Sequence, residues 1–187
     1  HFAYYCEAPS TSLLYSAYML DLQTHLRPSW VRPYPEVENF PFGLFTKSAT
    51  NTWAQMTIAQ IFGSDGHLLD LFTFGGKKTG EEPGIGEMLD KTQPAVAFLA
   101  EMFPQSLESV GAGVPYKPDA ALHTRTDPGA SYGDLVVPTG GAPNLLGACG
   151  IASMLTVSDS INLVFGKHAW SFDDKEIECL LTKGLFL

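Results

Sequence analysis

The densest group of side chains that could do chemistry lies in one polar loop of the sequence, residues 116–132. It combines a base, two cations and two phenols: Tyr116, Lys117, His123, Arg125 and Tyr132. In a chain of net charge −9, this local mixture is the best available cluster for holding and transforming an anionic substrate. The plain alternative is a solvated loop in which polar residues meet by chance, and the sequence leaves both interpretations open.

Further candidates lie beside predicted strands. Lys167 and His168 directly follow the predicted strand 161–165, and His168 could act as a base there while Lys167 anchors a substrate. The alternative is a surface turn with Trp170 packed beneath it. Glu108 lies on another predicted strand and could serve as a general base, although such a residue more often faces water.

Several familiar site patterns are absent from the sequence. The glycines of Gly84-Ile85-Gly86 lack the third glycine of a dinucleotide fingerprint and the lysine of a phosphate loop. No serine lies in a G-x-S-x-G turn. The five histidines are scattered and the three cysteines lack C-x-x-C spacing, so we expect no metal site and reduced thiols.

Composition indicates a folded protein and restricts its partners. Of 187 residues, 45% are apolar and 17% charged, which is typical of a globule rather than a disordered chain. An excess of 20 acidic over 11 basic residues repels phosphate backbones and anionic lipid, so we expect no nucleic-acid partner. The apolar stretch 13–22 is too short to span a bilayer. We therefore expect no membrane association and a cytoplasmic location.

Residues 1–65 differ in composition from the rest. Four prolines at positions 28, 33, 35 and 41 predict an extended chain rather than a long helix over the first 50 residues. The many aromatic residues of this stretch need burial, so we expect an arm that packs on the remaining domain or on a neighbouring copy, and hence a homo-oligomer. Within it, the apolar spacing of residues 51–61 favours a helix capped by Asn51, although the β-branched residues of this segment would also allow a strand.

The remainder is dominated by short apolar runs. Strands are predicted at 67–74, 87–89, 107–116, 133–138, 151–157 and 161–165. A helix is predicted over 92–103, capped by Thr92, with one apolar stripe of Val96, Leu99, Ala100 and Phe103. Asp173 and Glu176 form a capping box for a short last helix. This pattern predicts a mainly β fold: a β-barrel with one or two helices.

The order of three segments carries a resemblance to a family. These are residues 86–104 (GEMLDKTQPAVAFLAEMFP), 132–138 (YGDLVVP) and 161–166 (INLVFG). Their succession resembles that of small bacterial proteins with a cyclophilin-like barrel, over roughly residues 66–168. The resemblance implies a cyclophilin-like barrel domain over 66–187 that follows an N-terminal arm over 1–65.

The resemblance also implies a function. The enzymes of this fold that look most similar are the redox-independent opine synthases of the cucumopine and mikimopine type. They condense L-histidine with 2-oxoglutarate by a Pictet–Spengler reaction, without a cofactor, so the implied partners are an amino acid and an oxo-acid. In that case His168, His123 or Glu108 would be the catalytic base. The implied substrate-binding residues are Lys117, Arg125, Lys167, Tyr116 and Tyr132.

Two alternatives remain open at this point. The first is a non-catalytic cyclophilin-like protein that binds a small molecule. The second is a peptidyl-prolyl isomerase, for which the nearest trace of the cyclophilin Phe-His-Arg strand is Leu122-His123-Thr124-Arg125, at the wrong spacing.

Overall fold

The protein is described here by a computed structural model, which covers residues 9–39, 47–73, 75, 77–103 and 108–186, with side chains from residue 13 onward. The chain divides into two compact units, His1–Glu108 and Ser109–Leu187. Within the described residues, no helix combines the length and the hydrophobicity needed to cross a membrane.

In the described residues of the N-terminal unit, three helices pack with a small parallel sheet. The elements are α1 (Pro9–Leu26), β1 (Glu36–Glu38), α2 (Ala49–Ile61), β2 (Leu68–Asp70) and α3 (Pro83–Met102). Strands β1 and β2 pair in parallel, with Val37 opposite Leu69. Helix α2 begins where the Ser48 hydroxyl accepts a hydrogen bond from the Asn51 amide at 3.1 Å, and it packs against both α1 and α3. The buried core comprises Leu20, Val37, Met56, Ala59, Leu71 and Met88.

The C-terminal unit contains a four-stranded, all-parallel sheet. Its elements are β3 (Ala112–Gly113), α4 (Gly141–Ala148), β4 (Ser153–Met154), β5 (Asn162–Leu163), α5 (Asp174–Thr182) and β6 (Leu185–Phe186), in the sheet order β4-β3-β5-β6. Short 3₁₀ turns occupy Ala120–His123, Tyr132–Leu135 and Gly166–Ser171. The sheet and α4 share one core: Ala112, Val114, Ala142, Leu146 and Leu163.

The strand order places a crevice in the middle of this sheet. The chain leaves β3 to form β4 on one side, and it leaves β5 to form β6 on the other side. The connections therefore diverge between β3 and β5, and in open parallel sheets ligands bind outside the carboxyl ends of the strands at such a point. Strands β3 and β5 pack so closely that only glycine fits at position 113. A Cβ there would lie 2.1 Å from Oδ1 of Asn162.

The predicted mainly β, cyclophilin-like barrel is wrong. About half of the described residues are helical and only 9% lie in strands. The described part of the chain forms two small parallel sheets, and parallel pairing needs crossover connections rather than the hairpins of a meander. The error arose because runs such as 133–138 are extended or 3₁₀ backbone that the apolar pattern does not distinguish from strand.

The predictions of individual helices were more accurate than the prediction of the fold class. The helix over 51–61 is confirmed, with Ser48 rather than Asn51 as its cap. The helix predicted over 92–103 exists, but it begins at Pro83 and includes the expected strand 87–89. Thr92 lies inside this helix and its hydroxyl donates to the Leu89 carbonyl at 3.1 Å, so it caps nothing.

The prediction for the N-terminal part of the chain is wrong in part, whereas the one for the last helix is confirmed. A long helix, α1, precedes the prolines, so the expectation of an extended chain over the first 50 residues is wrong for 9–26. The capping box of Asp173 and Glu176 is confirmed at the start of α5. The expected packing of residues 1–65 on a neighbouring copy stays a prediction, and residues 1–8 and 40–46 of that stretch lie outside the described residues.

Candidate functional site

A cavity of about 560 Å³ opens in the C-terminal unit at the carboxyl ends of β3 and β5. Val114 directly follows β3, and Phe165 and Gly166 lie just beyond β5. The cavity therefore occupies the crevice that the strand order creates. Its lining is mostly apolar: Val114, Val136, Pro138, Thr139, Gly141, Ala142, Leu145, Leu163, Phe165, Gly166, Lys167 and His168.

His168 is the most buried polar side chain in the lining, with 4% of its surface exposed. It lies on the 3₁₀ turn Gly166–Ser171, where its amide donates to the Phe165 carbonyl at 3.1 Å. Its ring packs edge-on against Phe172, with 5.3 Å between the ring centroids. Its Nε2 is buried, and within the described part of the chain no group hydrogen-bonds it. A buried, unpaired ring nitrogen costs free energy that a bound ligand could recover.

The surroundings of His168 keep its imidazole neutral. Burial, and then the positive charge of Lys117, lower the pKa of His168 below its ordinary value of 6.5. Lys117 itself is paired: its Nζ contacts Oε1 of Glu176 at 2.7 Å and lies 5.6 Å from the centre of the Phe172 ring. A neutral imidazole offers one N–H and one lone pair, so His168 can donate to a ligand or accept a proton.

Lys167 carries the only formal charge among the described residues that line this cavity. Its Nζ donates to the backbone carbonyl oxygen of Asp134 at 2.7 Å, which directs the side chain, and the Asp134 carboxylate is near enough to interact with its charge. The first turn of α4 adds positive potential, because Gly141 and Ala142 lie at a helix start where backbone N–H groups have no intrahelical acceptor. Lys167 and the start of α4 thus contribute positive potential to a cavity whose lining is otherwise mostly apolar.

Of the residues predicted to form a site, the cavity brings together Lys167 and His168. Lys117 acts on His168 through its charge but is committed to Glu176. Tyr116 is half-buried, and its amide donates to the Leu155 carbonyl at 2.9 Å.

The other predicted site residues do not line the cavity. Arg125 and Tyr132 are exposed, Tyr132 to 85%. His123 is exposed as well, and its Nε2 lies 3.4 Å from Oδ2 of Asp119. Glu108 is exposed at the end of the N-terminal unit. Their proposed roles stay predictions.

The contribution of α4 was not predicted from the sequence, because Gly140 and Gly141 suggest a turn. The available signal was Pro143 followed by Leu145 and Leu146, since proline is favoured in the first turn of a helix. Among the described residues, no three His, Cys, Asp or Glu side chains are grouped as a metal site would require.

Comparisons with protein-family models, with curated proteins and with solved structures found no match for this chain. The resemblance to cyclophilin-like proteins therefore has no comparison for or against it, while the barrel that it implied is wrong.

Proposed function

We propose that the C-terminal unit binds a small organic anion that has an apolar body and one carboxylate or phosphate headgroup. The observation that carries the proposal is the buried, unpaired Nε2 of His168 beside Lys167 in one cavity. An oxyanion would accept a hydrogen bond from the imidazole and a charge-assisted one from the Lys167 ammonium.

The shape and lining of the cavity support the apolar part of this ligand. A volume of about 560 Å³ lies within the usual range for small-molecule sites. Val114, Leu163 and Phe165 contribute apolar lining, and the first turn of α4 contributes the positive end of a helix dipole. A ligand with one charged group and an otherwise apolar body matches this lining.

The charge of the whole chain makes the local arrangement informative. A protein of net charge −9 repels anions over most of its surface. An anion that reaches this cavity meets one lysine, one neutral imidazole and a helix N-terminus, with no carboxylate side chain among the described lining residues. Local positive potential in an acidic protein selects for anionic ligands.

A condensing enzyme that joins L-histidine to 2-oxoglutarate is a second candidate. One observation favours it: a neutral imidazole beside a cation is the pairing of base and anchor that such a reaction needs. Incubation with both substrates, followed by mass analysis, would give a product that has lost one water. H168F should abolish that product if His168 is the base, and full turnover by H168F would contradict the assignment.

Calorimetric titration of the full chain tests the binding proposal. The probes are hexanoate and hexyl phosphate, with 1-hexanol as a neutral control of similar length. We expect at least one anion to bind about tenfold or more tightly than hexanol, because a charge-assisted hydrogen bond contributes more than 1.4 kcal/mol. K167M should remove most of that difference and leave hexanol unaffected.

Lys175 provides the matched control, since it is an exposed lysine on α5 and K175M changes the net charge equally. K175M should leave anion affinity unchanged. Equal losses in K167M and K175M, or hexanol binding as tightly as both anions, would contradict a headgroup site at Lys167.

A further inference from the structure

One segment of the C-terminal unit, residues 125–138, is exposed along almost its whole length. Every residue of this segment is exposed except Val137, which is half-buried. The chain is fixed on both sides of it, because Ala120 and Ala142 are each only 4% exposed. Residues 125–138 therefore form a flap, an exposed stretch of chain whose two ends are held in the fold.

The hydrogen bonds inside the flap are short-range. The Ala130 amide donates to the Asp127 carbonyl at 3.0 Å, which closes a turn. The amide and the hydroxyl of Ser131 both donate to Oδ2 of Asp134, at 2.8 Å and 2.9 Å. Single turns of this kind are marginal on their own, so the flap depends on what holds it from outside.

Among the hydrogen bonds of the described residues, a single one joins the flap to the rest of the chain. In this bond, Nζ of Lys167 donates to the backbone carbonyl oxygen of Asp134 at 2.7 Å. The charge of Lys167 also interacts with the Asp134 carboxylate. A segment with so few hydrogen bonds to the fold opens at a low cost in free energy, and Lys167 is its main polar attachment.

The flap and the proposed headgroup share this lysine. Lys167 lines the C-terminal cavity, and so do Val136 and Pro138 of the flap. An ammonium group has three N–H donors, so Lys167 can hold the Asp134 carbonyl and still donate to an oxyanion. A ligand whose headgroup binds Lys167 would therefore have its apolar body beside the flap.

Apolar side chains of the flap have surface that such a ligand could cover. Leu135 is 40% exposed and Val136 is 56% exposed. Removing apolar surface from water is favourable roughly in proportion to its area. An apolar ligand body against Val136 and Pro138 would thus stabilise the closed flap, whereas a headgroup without a body would not.

We propose that the flap closes over the apolar body of an anion bound in the C-terminal cavity, while Lys167 holds both the flap and the headgroup. The proposal rests on the anion site proposed above, and it adds how that site is covered and why it favours an apolar body. Closure of this kind excludes water from a site and retains the ligand.

Hydrogen exchange of the full chain without ligand, followed by mass spectrometry, tests whether Lys167 holds the flap. In K167M we expect peptides over 125–138 to exchange about threefold to tenfold faster, because a hydrogen bond to a charged group is lost. K175M is the matched control, since Lys175 is an exposed lysine on α5. Unchanged exchange in K167M, or an equal increase in K175M, would overturn the role of Lys167.

Exchange is then measured in saturating hexanoate and hexyl phosphate, with acetate and inorganic phosphate at the same concentrations as headgroups that lack the hexyl body. At least one hexyl anion should slow the exchange of 125–138 about threefold or more, and the two headgroups alone should not. Calorimetry shows whether each anion is bound. A bound hexyl anion that leaves exchange unchanged would overturn the closing flap alone, whereas no binding of either hexyl anion would overturn the anion site as well.

V136N tests the contact between the flap and the apolar body. Because Val136 lines the cavity, the loss of its apolar surface should weaken binding of the tighter hexyl anion about threefold to tenfold. V110N is the matched control, since Val110 belongs to the same unit, is 74% exposed and does not line the cavity. Unchanged affinity in V136N, or an equal loss in V110N, would show that the flap does not cover the ligand.

Discussion

The two units place a cavity at the same topological position but line it differently. In each, the cavity lies where neighbouring parallel strands end, beside the first turn of a helix. The N-terminal cavity contains the buried, oppositely charged Lys47 and Glu82. The C-terminal cavity has one lysine and one neutral histidine in an apolar wall. Topology thus sets where a ligand can bind, and the side chains at the strand ends determine which ligand it is.

The two units also differ in how the fold satisfies a partly or fully buried histidine, His67 in one and His168 in the other. Burial lowers the pKa of both His67 and His168, so both rings are neutral near pH 7. Nε2 of His67 lies 3.0 Å from the Met56 carbonyl oxygen and is satisfied by the fold. Nε2 of His168 has no such partner among the described residues. A satisfied ring stabilises the protein, whereas an unsatisfied one at a cavity is available to a ligand.

The largest expected effect is a loss of stability on truncating a leucine, and it should differ between a helix of the C-terminal unit and one of the N-terminal unit. Leu180 of α5 is 2% exposed, while Leu99 of α3 is only half-buried. L180A should lower the free energy of unfolding by about 2–5 kcal/mol, because it leaves a cavity in a core. L99A should cost about half as much or less, since less apolar surface is lost. Urea unfolding followed by circular dichroism measures both, and equal losses would contradict the difference in burial.

The contrast between α5 and α3 also shows what sequence can reveal. The start of helix α5 could be predicted because Asp173 and Glu176 form a capping box. Its hydrogen bonds join residues only three apart, so the sequence alone shows the pattern. In α3, Pro94 resembles a helix start, but Pro83 occupies that position and Pro94 lies inside the helix. The strands β3 to β6 have two residues each, too few for an alternating pattern to show. Fold class therefore depended on long-range pairing that no local signal carried.

For a related reason, only part of the candidate site could be predicted from the sequence. Lys167 and His168 lie on the 3₁₀ turn that comes shortly after β5, and a position beyond a strand can be predicted from sequence. The contribution of α4 could not be predicted in this way. Gly141 and Ala142 line the cavity because Ala142 and Leu146 pack on the sheet, and this packing depends on residues far apart in sequence. The loop 116–132 looked chemically richer, yet of its predicted site residues only Lys117 acts on the cavity, through its charge.

A smaller effect should have opposite signs in the two units. H67F removes the hydrogen bond to the Met56 carbonyl and should lower the free energy of unfolding by about 1 kcal/mol. H168F replaces an unpaired ring nitrogen with an apolar ring of similar shape, so stability should be unchanged or slightly raised. Thermal unfolding of both variants compares the signs. A loss of stability in H168F equal to that in H67F would show that Nε2 of His168 has a partner.

The smallest effect is a pH dependence that both histidines share and that a ligand should alter in only one unit. The folded-state pKa of each lies below the ordinary value of 6.5 that the unfolded chain restores. Between those values the unfolded state binds more protons, so the stability from the neutral rings is present above pH 6.5 and is lost as pH falls below it.

Bound hexanoate would place a negative charge beside His168 and raise its folded-state pKa, which opposes that loss. The urea midpoint should therefore fall less between about pH 7.5 and pH 5.5 in saturating hexanoate than without it. In H168F the remaining dependence comes from His67 and other groups, and hexanoate should no longer change it. Because His67 already has a protein partner, H67F should keep the hexanoate effect. A hexanoate effect that survives in H168F would place the anion away from His168 and remove the distinction between the two histidines.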